Sequence, residues 1–404
     1  MSQAIRERVP NDVVADILGG LPVKSLIRFS CVSKFLNSII SDPTFISTHF
    51  KLNLNQPKSS ISPNTQPGYY LLYKTSSSKE LCTVFCNNDD YTLTQISRFE
   101  IPNVFDKCSE VVGFCNGIFC LASFDKDLHH ISYLWNPSIG MFKKLLATRL
   151  TGEDFRIVVF GLAYDCQNND FKVLRLVGFF GREAEAEIYS LRMGSWTKVV
   201  ISMESLRGYE PNIGTIVDVM PPCVFCNGAL HCTAFTRQGR FILSFDVSDE
   251  RFREIMMPRD FRDGIIVMFE QVAVFKGSLA IIVFSHNFLN LGIPGGCLCH
   301  IWVMEEYGVA DSWTRKFLVP LSDWVWEPLF YGCTDNGELL IKNDSGLVSI
   351  DPESRNQNIL AIEDSNWVGF SANSMESLVL LDGDLQLEQR MIGLGLPSAK
   401  NMCP

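Results

Sequence analysis

The sequence predicts an α+β chain in two parts: three short helices at the amino end, followed by an all-β propeller of six blades, with seven as the alternative. Apolar residues recur at helical spacing in the first forty positions. Beyond residue 68, paired strands repeat at a regular interval, as in propeller blades. Strand-like segments at the two ends of this repeat would complete one further blade and remove an exposed sheet edge.

The first helix begins at Pro10, because the missing N–H of proline costs nothing at a helix start. Its apolar residues form one stripe: Val13, Val14, Ile17, Leu18 and Leu21. A glycine pair and Pro22 end it. A second helix is predicted over residues 23–32 with Leu26, Ile27 and Phe29 inward, and a third over residues 33–41, ending at Asp42-Pro43.

Three helices of this size bury too little apolar surface to close a dry core alone. Either the rest of the chain or a second protein must cover the remaining stripe. A helical cap on the following domain and a docking module for a partner are both compatible with the pattern.

The residues of this stretch resemble the plant F-box, which they match in order from about position 6 to position 50: Val9-Pro10, Asp12, Leu21-Pro22, Lys24-Ser25-Leu26, Arg28-Phe29, Cys31-Val32, Lys34 and Asp42-Pro43-Thr44-Phe45. Departures from the usual pattern are Val9, Gly19-Gly20 and Phe35. The resemblance implies docking on a Skp-family adaptor and, through it, on the cullin of an SCF-type ubiquitin ligase. The residues expected to contact the adaptor are Pro10, Val13, Ile17, Leu18, Leu21, Pro22, Leu26, Val32 and Phe35.

Composition indicates a soluble globular protein, with 47% hydrophobic and 20% charged residues among 404. The net charge is −10 and no basic run occurs, which argues against nucleic-acid binding. The longest apolar region, residues 265–284, is interrupted by charged residues, and residues 1–8 lack a signal-peptide core, so we expect no membrane span and a cytoplasmic or nuclear location.

Fourteen cysteines in such a compartment are expected to be reduced core thiols. Cys223 and Cys226 near His231-Cys232, and Cys297-Leu298-Cys299-His300, invite a zinc interpretation. These cysteines alternate with apolar residues in strand-like runs, which point side chains to opposite faces. We therefore expect core packing, with no metal site and no cofactor.

Two strand units repeat along the second part of the chain. The first is a tight hairpin, at Asn116-Gly117, Asn227-Gly228, Lys276-Gly277 and Asn336-Gly337. The second is a strand pair that closes on an aromatic residue, and these residues lie 54, 56 and 61 positions apart: Phe142, Trp196, Phe252 and Trp313. Five full blades are predicted over residues 110–147, 157–200, 222–257, 269–318 and 328–362. A sixth would join strands near 367–370 and 377–381 to those at 69–100.

The repeats also resemble the plant F-box-associated interaction domain over nearly all of residues 66–390. The matching segments are Cys115-Asn116-Gly117, Leu134 to Ser138, Phe160 to Asp165, Asp170 to Val173, Ile188 to Leu191, Ser244-Phe245-Asp246 and Ile301 to Met304. The double glycine of kelch repeats is absent, so only the shape is kelch-like. The segment Met375 to Leu381 also occurs in related pollen self-incompatibility F-box proteins. The predicted domains are thus an F-box at 1–50, a linker at 51–68, the propeller at 69–392 and a tail at 393–404.

No phosphate-binding loop or nucleophile elbow is present, and the six histidines are scattered. Inner strands such as 111–114 and 273–275 are almost wholly apolar, so we expect the propeller to bind rather than to catalyse. A propeller hydrolase or lactonase with a helical arm is the alternative; adaptor binding by residues 1–50 alone, with no turnover by the propeller, would exclude it. A non-degradative F-box adaptor is a further alternative.

Long segments fall in the loops between second and third strands and in the links between blades, which lie on one face of a propeller. They are 179–184, 285–296, 202–221, 258–264 and 320–327. Because recognition usually lies in loops held on a rigid scaffold, a target protein is expected to bind there. The predicted target-binding residues are aromatic residues and arginines: Arg182, Tyr209, Arg259, Arg262, Phe288, Trp324 and Trp326. Packing of these side chains within their own loops is the alternative.

Overall fold

The computed structural model describes most of the chain: residues 10–54, 68–75, 80–101, 109–123, 131–145, 150, 155–201, 216–237, 239, 240–259, 261–286, 297–321, 328–343, 346–371 and 376–380. The helices precede the strands, as predicted. Four of the seven predicted target-binding residues, Tyr209, Phe288, Trp324 and Trp326, lie outside the described residues.

The helices are α1 (Asn11–Gly19), α2 (Val23–Val32), α3 (Lys34–Ile40) and α4 (Pro43–Leu54). The first three match the predicted positions, whereas α4 begins where the sequence predicted a stop. The reason is a cap: the Asp42 carboxylate accepts the backbone N–H groups of Thr44 at 2.8 Å and Phe45 at 3.3 Å, and proline suits the first helical turn. The last turn of α4 occupies the start of the predicted linker.

The strands form six four-stranded antiparallel sheets among the described residues, which confirms six blades. Blade 1 contains β1 (Gly68–Thr75), β2 (Glu80–Asn87), β3 (Leu93–Glu100) and the last strand, β24 (Ser365–Ser371). The other blades follow in chain order: blade 2, β4 (Ser109–Cys115), β5 (Ile118–Ser123), β6 (Ser132–Asn136), β7 (Met141–Lys144); blade 3, β8 (Phe155–Asp165), β9 (Asp170–Phe179), β10 (Glu185–Ser190), β11 (Ser195–Val199); blade 4, β12 (Asp218–Cys226), β13 (Ala229–Phe235), β14 (Arg240–Asp246), β15 (Arg251–Ile255); blade 5, β16 (Ile266–Phe275), β17 (Ser278–His286), β18 (Cys297–Met304), β19 (Trp313–Leu321); blade 6, β20 (Leu329–Cys333), β21 (Leu339–Asn343), β22 (Gly346–Ile350), β23 (Gln357–Leu360).

Ring closure follows the prediction with one difference. β24 pairs with β1, from Tyr70 opposite Ser371 to Lys74 opposite Trp367, so strands from both ends of the propeller share a sheet. The strand predicted near 377–381 is not seen in its described part: residues 376–380 form a short irregular segment instead.

Strand direction gives the propeller two distinct faces. We call the hairpin face the one with the turns between the first and second strands and between the third and fourth strands of each blade. The loop face carries the connections between second and third strands and the links between blades. Asn116-Gly117, Asn227-Gly228 and Lys276-Gly277 all have positive φ angles at both residues, as a type I′ turn requires. At the fourth predicted hairpin only Gly337 has a positive φ, 89°, because residues 334–338 form a longer connection.

The blades are held together by apolar layers between sheets and by aromatic pairs within them. In blades 2, 3 and 4 the predicted closing aromatic sits directly opposite another aromatic residue across the third and fourth strands: Trp135 with Phe142, Tyr189 with Trp196, and Phe245 with Phe252. The last two pairs have ring centroids 5.3 and 4.8 Å apart. These pairs explain the aromatic spacing in the sequence.

Candidate interaction surfaces

The four helices α1 to α4, which we call the helical unit, pack on the hairpin face. Their buried apolar residues form one cluster with those of blades 2 and 3. The Phe50 ring of α4 lies 4.9 Å from that of Tyr164 and 5.5 Å from that of Phe171. The Asn169 side-chain amide donates to the Ser47 hydroxyl at 2.7 Å. One cluster of buried apolar residues contains Leu18 and Leu26 of the helices together with residues of both blades. The helices therefore complete their core on the rest of the chain.

A buried lysine connects two turns of the hairpin face, near the surface on which the helices pack. The Lys172 ammonium lies 3.0 Å from the Asp165 carboxylate and 2.8 Å from that of Glu250, and it donates to the Val247 carbonyl at 2.7 Å. These contacts join the hairpin turn of blade 3 to the outer turn of blade 4. Hydrogen bonds, including those from Asn168 and Lys172, lower the pKa of Asp165 to about 2 despite its burial.

The segment 376–380 connects α2 to blade 2. The buried Asn136 side chain donates to the carbonyls of Ser377 and Val379, each at 2.8 Å. On the other side of the segment, the Glu376 carboxylate accepts the Val23 backbone N–H at the start of α2, at 3.2 Å. Leu378 and Leu380 belong to the same buried cluster as Leu18 and Leu26, which we call the shared core. We call residues 376–380 the carboxyl-terminal clasp.

The structure leaves much of the predicted adaptor stripe open to solvent. Ile17 is 62% exposed and Val32 is 72% exposed. Exposed as well are Pro10, Val13, Pro22 and Phe35. Leu18 and Leu26 are buried in the shared core and Leu21 is half-buried against it. The described structure thus places six of the nine residues at the surface and gives Leu18 and Leu26 a packing role.

Phe29 is more exposed than the sequence predicted, whereas the predicted adaptor contacts Leu18 and Leu26 are more buried. It was predicted to face inward, but it is exposed. Successive residues of an α-helix are rotated by about 100°, so Phe29 points roughly 160° away from Ile27, which faces the shared core. It joins the exposed apolar surface of the helices, and the sequence pattern alone could not separate the two sides of so apolar a helix.

The described target-binding candidates take three different positions. Arg182 lies in the loop after β9 and Arg262 in the link before β16, both on the loop face. Arg259 lies in the same link as Arg262, but its guanidinium pairs at 3.0 Å with Asp311, from the β18–β19 connection of the hairpin face. The structure therefore brings Arg182 and Arg262 to the predicted face and points Arg259 along the edge between blades 4 and 5.

Ion clusters on the loop face add residues that the sequence did not reveal. Glu185 accepts from both Arg182 and Lys198, each at 2.7 Å. Lys198, with Arg182, holds the pKa of the Glu185 carboxyl below its usual range. The Glu185 carboxylate therefore stays ionised and fixes two cations side by side.

A second cluster, again of one carboxylate with two cations, spans blades 4 and 5. Glu270, on the innermost strand of blade 5, pairs with Arg240 and also accepts from the Arg262 Nε at 3.0 Å. Between the two clusters, Arg156 pairs with Asp218 at 3.0 Å across blades 3 and 4. The apolar residues noted in the sequence for this inner strand are 273–275. Glu270 precedes them, and the packing of blade 5 beside blade 4 and its link brings Arg240 and Arg262 to the Glu270 carboxylate.

Two of the described buried histidines, His231 and His300, contact hydroxyl groups inside the blades. His231 Nε2 lies 2.7 Å from the Tyr307 hydroxyl and 3.2 Å from that of Ser244, and His300 Nε2 lies 2.9 Å from the Ser285 hydroxyl. Burial lowers the pKa of each imidazole to about 4, so both are neutral at pH 7. Burial likewise raises the pKa of the Cys226 thiol to about 11.

No group of three or more His, Cys, Asp or Glu side chains among the described residues is arranged to hold a metal ion. Within the same residues, none of the helices is long and apolar enough to cross a membrane.

Comparison with known proteins gives two family matches: residues 7–48 match the F-box domain, and residues 71–376 match the F-box associated beta propeller domain. The F-box/kelch-repeat protein At3g23880 of Arabidopsis thaliana is 28% identical over 344 residues, covering 84% of this chain and 86% of the relative. The F-box protein CPR1 of the same plant is 28% identical over 410 residues, covering 93% of this chain and 90% of the relative. A solved structure of TolB from Acinetobacter baumannii matches with a TM-score of 0.40 and 9% identity, over 81% of this chain and 73% of that one.

Proposed function

This chain belongs to the F-box proteins that carry an F-box associated β-propeller domain, and we propose that it is the substrate-recognition subunit of an SCF-type ubiquitin ligase. In this role the helical unit binds a Skp-family adaptor and, through it, a cullin, in the cytoplasm or nucleus. The propeller binds a target protein. The chain itself carries out no bond chemistry; it raises the effective concentration of target lysines near the conjugating enzyme.

The observation that carries the proposal is the exposed apolar surface of a helical unit whose other side is already covered. The shared core accounts for Leu18, Leu26 and Ile27. It leaves Ile17, Phe29 and Val32 exposed to water. Exposed apolar patches of this kind mark interaction sites in soluble proteins. A helical cap that served only the propeller would have no need of this second apolar side.

The arrangement of the two faces supports separate binding sites for the adaptor and for the target. The helices occupy the hairpin face, and the longest connections lie on the opposite, loop face. A target bound to the loop face would leave the adaptor surface free, so both partners could bind at once. This simultaneous binding is what a bridging subunit requires.

The test is capture of a purified plant Skp-family adaptor by the full chain carrying Ile17→Asp or Val32→Asp. Because both side chains are exposed, either change should leave the folded state intact. We expect each to weaken adaptor binding at least 10-fold, since a buried, unpaired carboxylate in an interface costs several kcal/mol.

The matched control is Leu52→Asp, which places the same charge at another exposed apolar residue of the helical unit. It should bind the adaptor as the wild type does. Unchanged adaptor capture by both Ile17→Asp and Val32→Asp, with the thermal midpoint preserved, would contradict the proposal. Leu21 is a poorer test position because its carbonyl accepts a hydrogen bond from His49 at 3.1 Å and its side chain packs on the shared core.

A further inference from the structure

We propose that the loop face of blades 3 and 4 binds an acidic segment of the target in which carboxylates alternate with bulky apolar side chains. This inference rests on the proposed function, because it names the chemical class of the target. It depends on one patch, defined by Phe180, Arg182, Lys198 and Val200, which we call the blade 3 patch.

The cations of the blade 3 patch are held in place before any partner arrives. Glu185 binds Arg182 and Lys198 at 2.7 Å each, and Arg182 stacks 3.3 Å from the centre of the Phe179 ring. Both cationic side chains are nevertheless more than half exposed. One carboxylate cannot use all the donors of a guanidinium and an ammonium. The cluster therefore presents oriented N–H groups and one excess positive charge to an incoming carboxylate.

Exposed apolar side chains occur close to these cations in sequence and in strand register. Phe180, next to the ring on which Arg182 stacks, is 69% exposed, and Val200 is 72% exposed. Val199 pairs with Ala186 across β10 and β11, so Val200 follows at the position beside Glu185. A ligand that satisfied only the charges would leave both apolar side chains in water, whereas one with neighbouring apolar residues would cover them.

The cluster of blades 4 and 5 repeats this chemistry along the same face. Glu270 likewise holds two cations, here both arginines, Arg240 and Arg262, and the exposed side chain of Ile266 lies at the start of the same strand. Its two arginines are less exposed than the cations of the blade 3 patch. The repetition suits an extended segment that reaches from blade 3 toward blade 5.

The charge distribution of the chain favours binding of an acidic ligand at the two clusters over the rest of the surface. The net charge of −10 repels carboxylates from most of the surface, and the two clusters offset that repulsion locally. Glu183 and Asp263 are exposed near the two clusters and would disfavour a carboxylate placed next to them. The predicted ligand therefore places its acidic residues over the cation pairs and its apolar residues between them.

The test is selection of displayed random 12-residue peptides on the full chain. Three proteins are compared: the wild type, the double variant Arg182→Glu/Lys198→Glu, and the control Arg98→Glu/Lys316→Glu. The control makes the same change in charge at two exposed ion pairs away from the patch. We expect peptides enriched on the wild type and the control to be rich in Asp, Glu, Phe and Leu, and to bind the double variant at least 10-fold more weakly in fluorescence anisotropy.

Several outcomes would overturn the inference: no enriched peptide, enrichment without acidic residues, or equal binding to the double variant and the control. If the double variant fails to fold, Arg182→Gln/Lys198→Gln replaces it, with a loss of at least 5-fold expected and equal binding again overturning the inference. Adaptor capture is measured on the same wild-type preparation. Loss of adaptor capture with acidic selection intact would refute the ligase role and leave the patch standing.

Discussion

The two faces of the propeller are built from the same strands but differ in how those strands are connected. On the hairpin face, turns such as Asn116-Gly117 keep the surface low, and the helices pack against it with buried aromatic contacts. On the loop face, the connections are longer and the charged clusters around Glu185 and Glu270 remain open to solvent. The short turns thus form a flat surface on which the helices pack. The sequence of the longer connections on the loop face can change without disturbing that packing.

This contrast changes what the helical unit can do alone. Its core is shared with blades 2 and 3 and with the carboxyl-terminal clasp. Residues 1–50 in isolation would expose Leu18 and Leu26, which the full chain buries. Adaptor binding by that fragment is therefore a poor way to separate a ligase subunit from an enzyme, and the full chain with surface substitutions is the better reagent.

The largest expected effect comes from breaking the contact between the helical unit and the hairpin face with Phe50→Ala. Removing a buried phenylalanine typically lowers the free energy of unfolding by about 3–5 kcal/mol, and Phe50 packs on both Tyr164 and Phe171. Urea denaturation of the full chain measures the loss. Leu52→Ala, at an exposed position on the same helix, should cost less than about 0.5 kcal/mol. Equal effects of the two variants would show that the helices do not dock on the hairpin face.

The buried histidines of the blades are expected to make the stability of the propeller depend on pH. His231 has a pKa of about 4 in the folded state, below the ordinary value of 6.5. Between these values the unfolded chain binds more protons, so the free energy of unfolding falls as the pH drops from about 6.5 towards 4, by roughly 3 kcal/mol for this residue.

His231→Gln should therefore flatten this part of the stability profile. Urea midpoints measured from pH 7.5 to 4.5 check it. His300→Gln, toward the loop face, should flatten the same region, because the pKa of His300 is lowered in the same direction. Wild-type stability that stays constant over this range would mean that neither imidazole is held neutral by burial.

A smaller effect is expected for Asn136→Ala, which cuts the clasp away from blade 2. The change leaves the carbonyls of Ser377 and Val379 without their side-chain donor, and it also removes the acceptor of the Ser138 backbone N–H. Such losses lower the free energy of unfolding by about 1–3 kcal/mol. Ser38→Ala, which loses one exposed hydrogen bond within α3, is the control. A loss no greater than that of the control would mean that the clasp contributes nothing to seating the helices.

Most of the fold could be predicted because its determinants are local. Positive-φ turns at Asn-Gly pairs and cross-strand aromatic pairs leave regular spacing in the sequence, and the helical stripe does the same. Even the closing strand, β24, was placed within a few residues. The missed helix α4 also had a local signal, since an Asp-Pro pair starts a helix as readily as it ends one.

The surfaces were harder to predict because they depend on contacts between distant residues. Leu18 and Leu26 follow the same apolar pattern as Ile17 and Val32, and only the packing of blades 2 and 3 decides which are covered. Glu270 meets Arg240 and Arg262 through the juxtaposition of neighbouring blades. Neither arrangement leaves a periodic trace in one sequence.

The clasp has a consequence for the order in which the protein is made. Residues 376–380 hold the amino-terminal helices on the propeller, and β24 closes the ring just before them. A ribosome must therefore synthesise residues 365–380 before the ring can close and the clasp can contact the first helices. The helices are made first, yet these contacts that hold them on the propeller come from residues made more than 300 positions later.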